Sequence, residues 1–325
     1  MQRHSFWKAV GLVALIGIIA AAFAYFVDLQ AVAVQLRLAD PRALLAASTL
    51  LIAGLAAYAV RWRLILSSQP TFWLTFHASN IGHAGNIIIP ARAGEAARIV
   101  VMGRSDAVSV AQATSSFVVE RLFEQIMRLV ALGGAVAFGA GLHLTAVSVI
   151  GGVGIVLLAF LAIIWLAKHQ DAVLRKGPSW LARFPRISED RARESLADLL
   201  ASLTAIASPR RLAAVLLWSF TTWACFWGFF YLALLALPGN FAPEVWLPIS
   251  LGALALSPPT APTQPGIFHA SVVAPLAAVG FAAENLTAYA VILHILEMAL
   301  MIGLALWGVV GTGLRSGALL NHSRS

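Results

Sequence analysis

The chain has 325 residues, of which 60% are hydrophobic and only 11% charged, where an ordinary soluble domain carries about 25% charged residues. Its 22 Lys and Arg outnumber 14 Asp and Glu, for a formal charge of +8, a balance suited to anionic lipid surfaces. These values exclude a water-soluble body and point to an all-α polytopic membrane protein.

Residues 10–27 form the first predicted span. That apolar run exceeds the 7–15 residues of a signal-peptide core, so Ala31-Val32-Ala33 reads as retained chain rather than a cleavage site. Residues 44–60 form the second span and end at Arg61 and Arg63, whose expected role is structural, with their heads reaching the interface. The stretch 71–89 is different. It lies between Arg61 and Arg63 on one side and Arg92, Arg98 and Arg104 on the other. If both basic clusters are cytoplasmic, it enters and leaves by one face. Its His77, Asn80, His83 and Asn86 are too polar for lipid, so a re-entrant element is expected over about 70–98, broken at Pro90 and Gly94. Asn80, His83 and Asn86 then line a cavity or satisfy broken backbone. Glu95 and Arg98 follow at a helix start, and helix N-termini and guanidinium groups both favour phosphate-like anions. The alternative for Arg92 and Arg98 is ordinary snorkelling to the cytoplasmic interface.

Residues 107–140 predict a longer span that carries Glu120, Arg121, Glu124 and Arg128. The last three recur at spacings of three and four and so share a helix face. Intramembrane charges are costly and turn to partners or aqueous cavities, so this face is expected to point inward, either onto a cavity or into an ion-pair cluster that locks helices together. A further span follows over 142–167. The connection 168–211 holds nine basic against five acidic residues, and Leu196, Leu199, Leu200 and Leu203 follow helical spacing, which predicts an amphipathic helix lying at the membrane surface. Residues 212–237 form another span. Over 243–281 two apolar pieces, each too short to cross, flank the run L-S-P-P-T-A-P-T-Q-P-G-I-F-H-A at 256–270. Proline breaks helices, and broken backbone at membrane depth survives only where protein or a watery cavity surrounds it. A second re-entrant element is expected there, shaped by Pro259, Pro262 and Gly266. It carries His269, which could hold a headgroup, exchange a proton or sit satisfied in the interior. The last span, 288–310, places His294 and Glu297 three apart, a candidate proton-linked pair.

Lys and Arg placement orients these elements. The basic connection 168–211 is cytoplasmic, the opposite loops lack Lys and Arg, and both termini carry basic residues, which requires an even number of crossings. Six spans satisfy this, with both termini cytoplasmic and the protein in the inner (cytoplasmic) membrane. Residues 1–315 form one domain and 316–325 a short polar tail. One broken element in each half, entering from opposite faces, matches the inverted repeats of transporters, whose broken helices meet at the substrate site.

Four pieces in order carry a family resemblance. The run Asn86-Ile-Ile-Ile-Pro90-Ala-Arg92-Ala-Gly94-Glu95-Ala-Ala-Arg98 resembles the N-x-x-x-P-x-R-x-G-E-x-x-R signature of flippase-like membrane proteins related to the transmembrane domain of lysylphosphatidylglycerol synthase. Arg61-Trp62 resembles the family's R-W pair. Glu120-Arg121-Leu122-Phe123-Glu124 resembles its E-R-L-x-D, with Glu124 in place of Asp. The proline run from Pro259 to Ala270 is similar to the form P-S-A-P-G-x-x-G-T-F-H-A, with Thr263 in place of Gly and Pro265 added. The resemblance covers residues 1 to about 315 and implies a role in moving or handling polar lipids.

The expected function is a lipid transporter or flippase that admits an anionic or glycosylated headgroup to a central polar cavity. Arg92, Arg98, Arg121, Asn86 and His269 are expected to bind the headgroup, and Glu95, Glu120 and Glu124 to orient the arginines. His294 and Glu297 serve the opposite half, so movement runs downhill or is coupled to protons. No Walker loop, no G-x-G-x-x-G and no Cys/His zinc spacing occurs, and all six aspartates lie in predicted loops or at span ends. No cofactor, metal, enzymatic activity or nucleic-acid partner is therefore expected. The alternatives are an accessory membrane partner of a lipid-modifying enzyme and, third, a membrane-embedded lipid transferase.

Overall fold

The computed structural model describes residues 29–67, 69–88, 93–104, 108–137, 168–183, 188–206, 208–237 and 283–311, together with positions 154, 158, 161, 162, 165, 166, 250 and 254. Regular structure among them is helical throughout. We number the helices α1 (Leu29–Leu38), α2 (Pro41–Ile65), α3 (Phe72–Ile88), α4 (Ala93–Gly103), α5 (Val110–Ala137), α6 (Gln170–Leu181), α7 (Glu189–Ile206), α8 (Pro209–Leu235) and α9 (Ala283–Gly311).

Among the described residues, three segments are long and apolar enough to cross a membrane: Pro41–Ile65, Pro209–Leu235 and Tyr289–Val310. At 1.5 Å per residue each exceeds a hydrocarbon core of about 30 Å. Two of them begin earlier than hydropathy alone predicts, because each is started by a cap. Asp40 accepts from Arg42 N at 2.9 Å, with Pro41 at the first helical position. Ser208 does the same for α8 ahead of Pro209. Side-chain oxygens at the cap satisfy donors that the first turn leaves open, and proline loses nothing there. The predicted spans 10–27 and 142–167 fall wholly or largely outside the described residues, as does the second re-entrant element apart from Ser250 and Leu254. The stretch predicted as a charged span over 107–140 contains α5, a helix of 28 residues that is not among these three segments.

α2 and α8 pack along each other in antiparallel sense: Asp40 N donates to Ala236 O at 2.8 Å at one end, and Arg211 Nη1 donates to Ser67 Oγ at 3.4 Å at the other. Reciprocal glycines allow the close approach. A Cβ on Gly54 would lie 2.6 Å from Phe226 Cε1, and one on Gly228 would lie 2.6 Å from Leu50 Cδ1. Small residues let helix backbones meet where lipid offers no hydrophobic drive. α9 packs on α3 and touches α1. The main core forms between these helices around Leu51, Leu55, Phe76, Phe229, Phe230 and Tyr289, with Tyr289 Oη donating to Phe230 O at 2.8 Å.

α3 and α4 form a tight hairpin across residues 89–92. A Cβ on Gly94 would collide with the Gly82 carbonyl oxygen and the Asn86 amide nitrogen. Only glycine fits. The amphipathic connection folds as α6 and α7, packed together. The predicted apolar face of α7 is used against protein: Leu200 and Leu203 are buried, and Leu203 joins Val119, Phe123 and Ile126 of α5 and Ile65 of α2 in a second cluster.

Candidate functional site

Charges from α2, α4 and α5 converge at the inner end of the α3–α4 hairpin. The hairpin sets their positions locally. Asn86, near the end of α3, accepts through Oδ1 from the Glu95 amide at 3.2 Å, so its side chain caps the first turn of α4 in the manner of a capping residue brought from another helix. That fixes Glu95 and, one turn later, Arg98 against α5.

Arg98 is 3% exposed. Its Nη1 and Nη2 donate to Glu120 Oε2 and Oε1 at 3.2 and 3.0 Å, and Nη1 also donates to Tyr58 Oη at 2.6 Å. The Tyr58 hydroxyl in turn donates to Glu120. The Arg98 guanidinium also lies 4.7 Å from the Trp62 ring centre and 4.8 Å from that of Phe117, both within cation–π range. Trp62 is itself held by a 3.0 Å bond from Nε1 to Ser116 Oγ. One turn along α5, Glu124 accepts from Arg61 Nη2, and the Arg61 head lies 4.8 Å from the Tyr58 ring centre. Arg61 and Glu120 are fully buried. In this inner cluster two arginines face two glutamates, so the formal charges cancel.

A third pair differs. Arg121 Nη2 donates to Glu95 Oε1 at 2.8 Å, and the two side chains keep 24% and 18% of their exposure. Arg121 of this pair borders a cavity with an empty volume of about 770 Å³, its mouth included. Arg121, Glu124 and Arg128 all line the cavity along one face of α5. Across from them stand His83 and Asn86 of α3, Tyr58 of α2 and Glu297 of α9, while Trp223, Phe226, Phe229 and Phe230 of α8 supply an aromatic wall. His83 Nε2 and Glu297 Oε2 have no hydrogen-bond partner. Buried polar atoms normally find one, so these two mark places where a solvent molecule or ligand atom fits.

The expected site residues therefore divide. Glu95, Arg98, Glu120, Arg121 and Glu124 meet in one network, Gly94 shapes the hairpin, and Asn86 joins it while lining the cavity. Glu297 faces the same cavity from α9, and His294, one turn away, is buried. Arg92, His269, Pro90, Pro259, Pro262 and Gly266 lie outside the described residues. Among the described residues no three His, Cys, Asp or Glu side chains gather as metal ligands. Tyr58, Ser116 and Phe117 escaped sequence reasoning, although Tyr58 stands three before Arg61 and Phe117 three before Glu120, spacings that share a helix face; Trp62 was singled out only as part of the Arg61-Trp62 resemblance, without its contacts. The four α8 aromatics read as ordinary span residues and carried no signal.

A family profile described as the lysylphosphatidylglycerol synthase TM region matches residues 9–305. The chain belongs to that family. Membership covers nearly its whole length and makes it a membrane protein of a family tied to lipid handling. No curated protein and no solved structure matches the chain. Within residues 9–305 lie α3, α4, the α5 charges and the α9 carboxylate, and of these Asn86, Arg121, Glu124, Arg128 and Glu297 line the cavity just described.

Proposed function

We propose that this member of the lysylphosphatidylglycerol synthase TM-region family moves a lipid with an anionic headgroup across the cytoplasmic membrane, the headgroup entering the cavity while its chains stay in the bilayer. The observation that carries this reading is the unequal state of the arginines. Arg98 is closed off by Glu120, Tyr58, Trp62 and Phe117, and Arg61 is committed to Glu124. Arg121 borders the cavity, where one carboxylate, Glu95, pairs with it and the Phe117 ring lies 4.7 Å from its head. A phosphate can replace that carboxylate in the same geometry, since guanidinium forks bind both. Arg128, from the same face, adds a second positive charge to the cavity wall.

Arg121 is then the principal headgroup contact, with Asn86 holding the hairpin that presents Glu95. Glu297 and His83 bring groups able to exchange protons to the opposite wall, which supports downhill or proton-coupled movement without a nucleotide. Lys and Arg placement supports six crossings, cytoplasmic termini and re-entrant character for the α3–α4 hairpin and the proline-rich run. No catalytic step is assigned.

The reading is tested by thermal shift of the purified protein with short-chain phosphatidylglycerol and with short-chain phosphatidylcholine. Phosphatidylglycerol stabilises the wild type more than phosphatidylcholine does, and Arg121→Gln removes the difference. Equal response of wild type and variant to both lipids overturns the headgroup assignment. A lipid product of altered mass formed with a soluble donor would replace transport by catalysis.

A further inference from the structure

The polar cavity has an apolar neighbour. A groove of about 620 Å³ lies between α5 and α8, bounded by Met127, Val130 and Gly134 on one helix and by Phe220, Ala224 and Trp227 on the other. Its rim residues Val130 and Phe220 keep 48% and 50% of their exposure. α8 is one of the three helices long and apolar enough to cross a membrane, and with α8 spanning, such a rim opens sideways onto hydrocarbon. Two residues, Trp223 and Leu254, line both this groove and the polar cavity. The two voids share a wall.

Trp223 stands out on that wall. It is 6% exposed, yet its Nε1 has no hydrogen-bond partner. Buried indole N–H groups usually find one, and an unmet buried donor is destabilising. Its neighbours follow the usual pattern: Trp227 donates to Ser250 Oγ at 3.0 Å and Trp62 to Ser116 Oγ at 3.0 Å. An open donor therefore sits where a charged cavity gives way to an apolar groove. An acyl lipid has the same order of parts: an anionic head, an ester carbonyl able only to accept, then a hydrocarbon chain.

We infer that the α5–α8 groove seats one hydrocarbon chain of an ester-linked lipid whose headgroup occupies the polar cavity, with Trp223 Nε1 donating to an ester carbonyl at the junction. This rests on the headgroup reading above and narrows it to lipids with an acceptor next to the chain. Polyprenyl phosphates and ether lipids lack that carbonyl. Ala224 is exposed on the groove wall, so a larger side chain there fills the groove without entering the core.

The test uses the full chain in nanodiscs and phosphatidylglycerol carrying a photoreactive diazirine in one chain, with crosslinks located by mass spectrometry. Label is expected on the facing residues of α5 and α8, and Ala224→Phe should reduce it several-fold. In competition against the labelled lipid, diacyl phosphatidylglycerol should outcompete its dialkyl ether analogue by roughly threefold to tenfold, the range of one net hydrogen bond. Trp223→Phe should abolish that preference. Label spread outside the groove, label unchanged by Ala224→Phe, or equal competition by ester and ether lipids with the wild type overturns the proposal. So does label carried mainly to a second protein chain, which would make the groove a helix-docking face. Arg121→Gln separates the two readings. If it weakens binding while Ala224→Phe and Trp223→Phe change nothing, the groove assignment falls and the headgroup site stands. If chain label and ester preference persist while Arg121→Gln is silent, the groove stands and the headgroup assignment falls.

Discussion

Arg98 and Arg121 stand 23 positions apart in runs of similar polarity, and nothing in their immediate neighbours tells their roles apart. Their surroundings do. Arg98 reaches a carboxylate and a phenol between two aromatic rings, whereas Arg121 reaches one carboxylate and one ring, Phe117, at the edge of a cavity. Removing one partner of a buried ion pair leaves an uncompensated charge and costs about 3–5 kcal/mol, while exposed pairs contribute about 0–1 kcal/mol. Glu120→Gln should therefore lose most of its folded fraction after heating, as read by detergent-phase chromatography. Glu95→Gln should stay near the wild type in the same measurement and alter lipid binding instead. Equal losses in the two variants would contradict the division between a locking cluster and an accessible pair. The sequence presented both readings of the α5 charges, cavity wall or helix lock. Both apply, to different residues: Glu120 locks, Arg121 and Arg128 face the cavity, and Glu124 does both. That split was illegible beforehand because it depends on Tyr58, Trp62 and Phe117, whose contacts cross from one helix to another.

At the level of elements, the α3–α4 hairpin depends on glycine where two backbones touch. Gly94→Ala would press a methyl group onto the Gly82 carbonyl and the Asn86 amide, and neither atom belongs to a side chain that can turn away. Overpacking of this kind costs about 1–3 kcal/mol, so the thermal midpoint of the variant should fall clearly. Gly133→Ala on α5 is the contrasting case. Nothing lies within 4 Å of its added Cβ, and alanine favours a helix over glycine by about 0.5–1 kcal/mol. Its midpoint should hold or rise, and a fall equal to that of Gly94→Ala would refute the close-approach argument. The pair α2 and α8 was legible as two apolar runs, and their starts were written in Asp40-Pro41 and Ser208-Pro209, a signal that hydropathy windows overlook. Gly94 was legible as a special position, although its reason, the contact with Gly82 and Asn86, was not. What Asn86 does was not legible either, because it caps a helix nine residues ahead through a turn whose path no local pattern specifies.

The whole molecule gathers charge toward one place. Hydropathy was enough to class the chain as a helical membrane protein, and four ordered motifs were enough to recognise its family, since both follow from composition and order. The cavity was not readable in that way. Its walls come from α2, α3, α5, α8 and α9, segments up to 250 positions apart if counted from Leu51 to Met301, and only packing brings them together. The aromatic wall from α8 and the carboxylate from α9 complete a void that is charged on the α5 side and apolar on the α8 side. A headgroup and a chain fit such a division. The most direct measurement is leaflet-resolved movement of fluorescent phosphatidylglycerol in proteoliposomes, comparing wild type, Arg121→Gln and protein-free vesicles. The account predicts movement by the wild type well above the vesicle background and at least a tenfold lower protein-dependent rate in Arg121→Gln, the scale of one charged hydrogen bond of about 1.5–3 kcal/mol. The same rate in all three would contradict it.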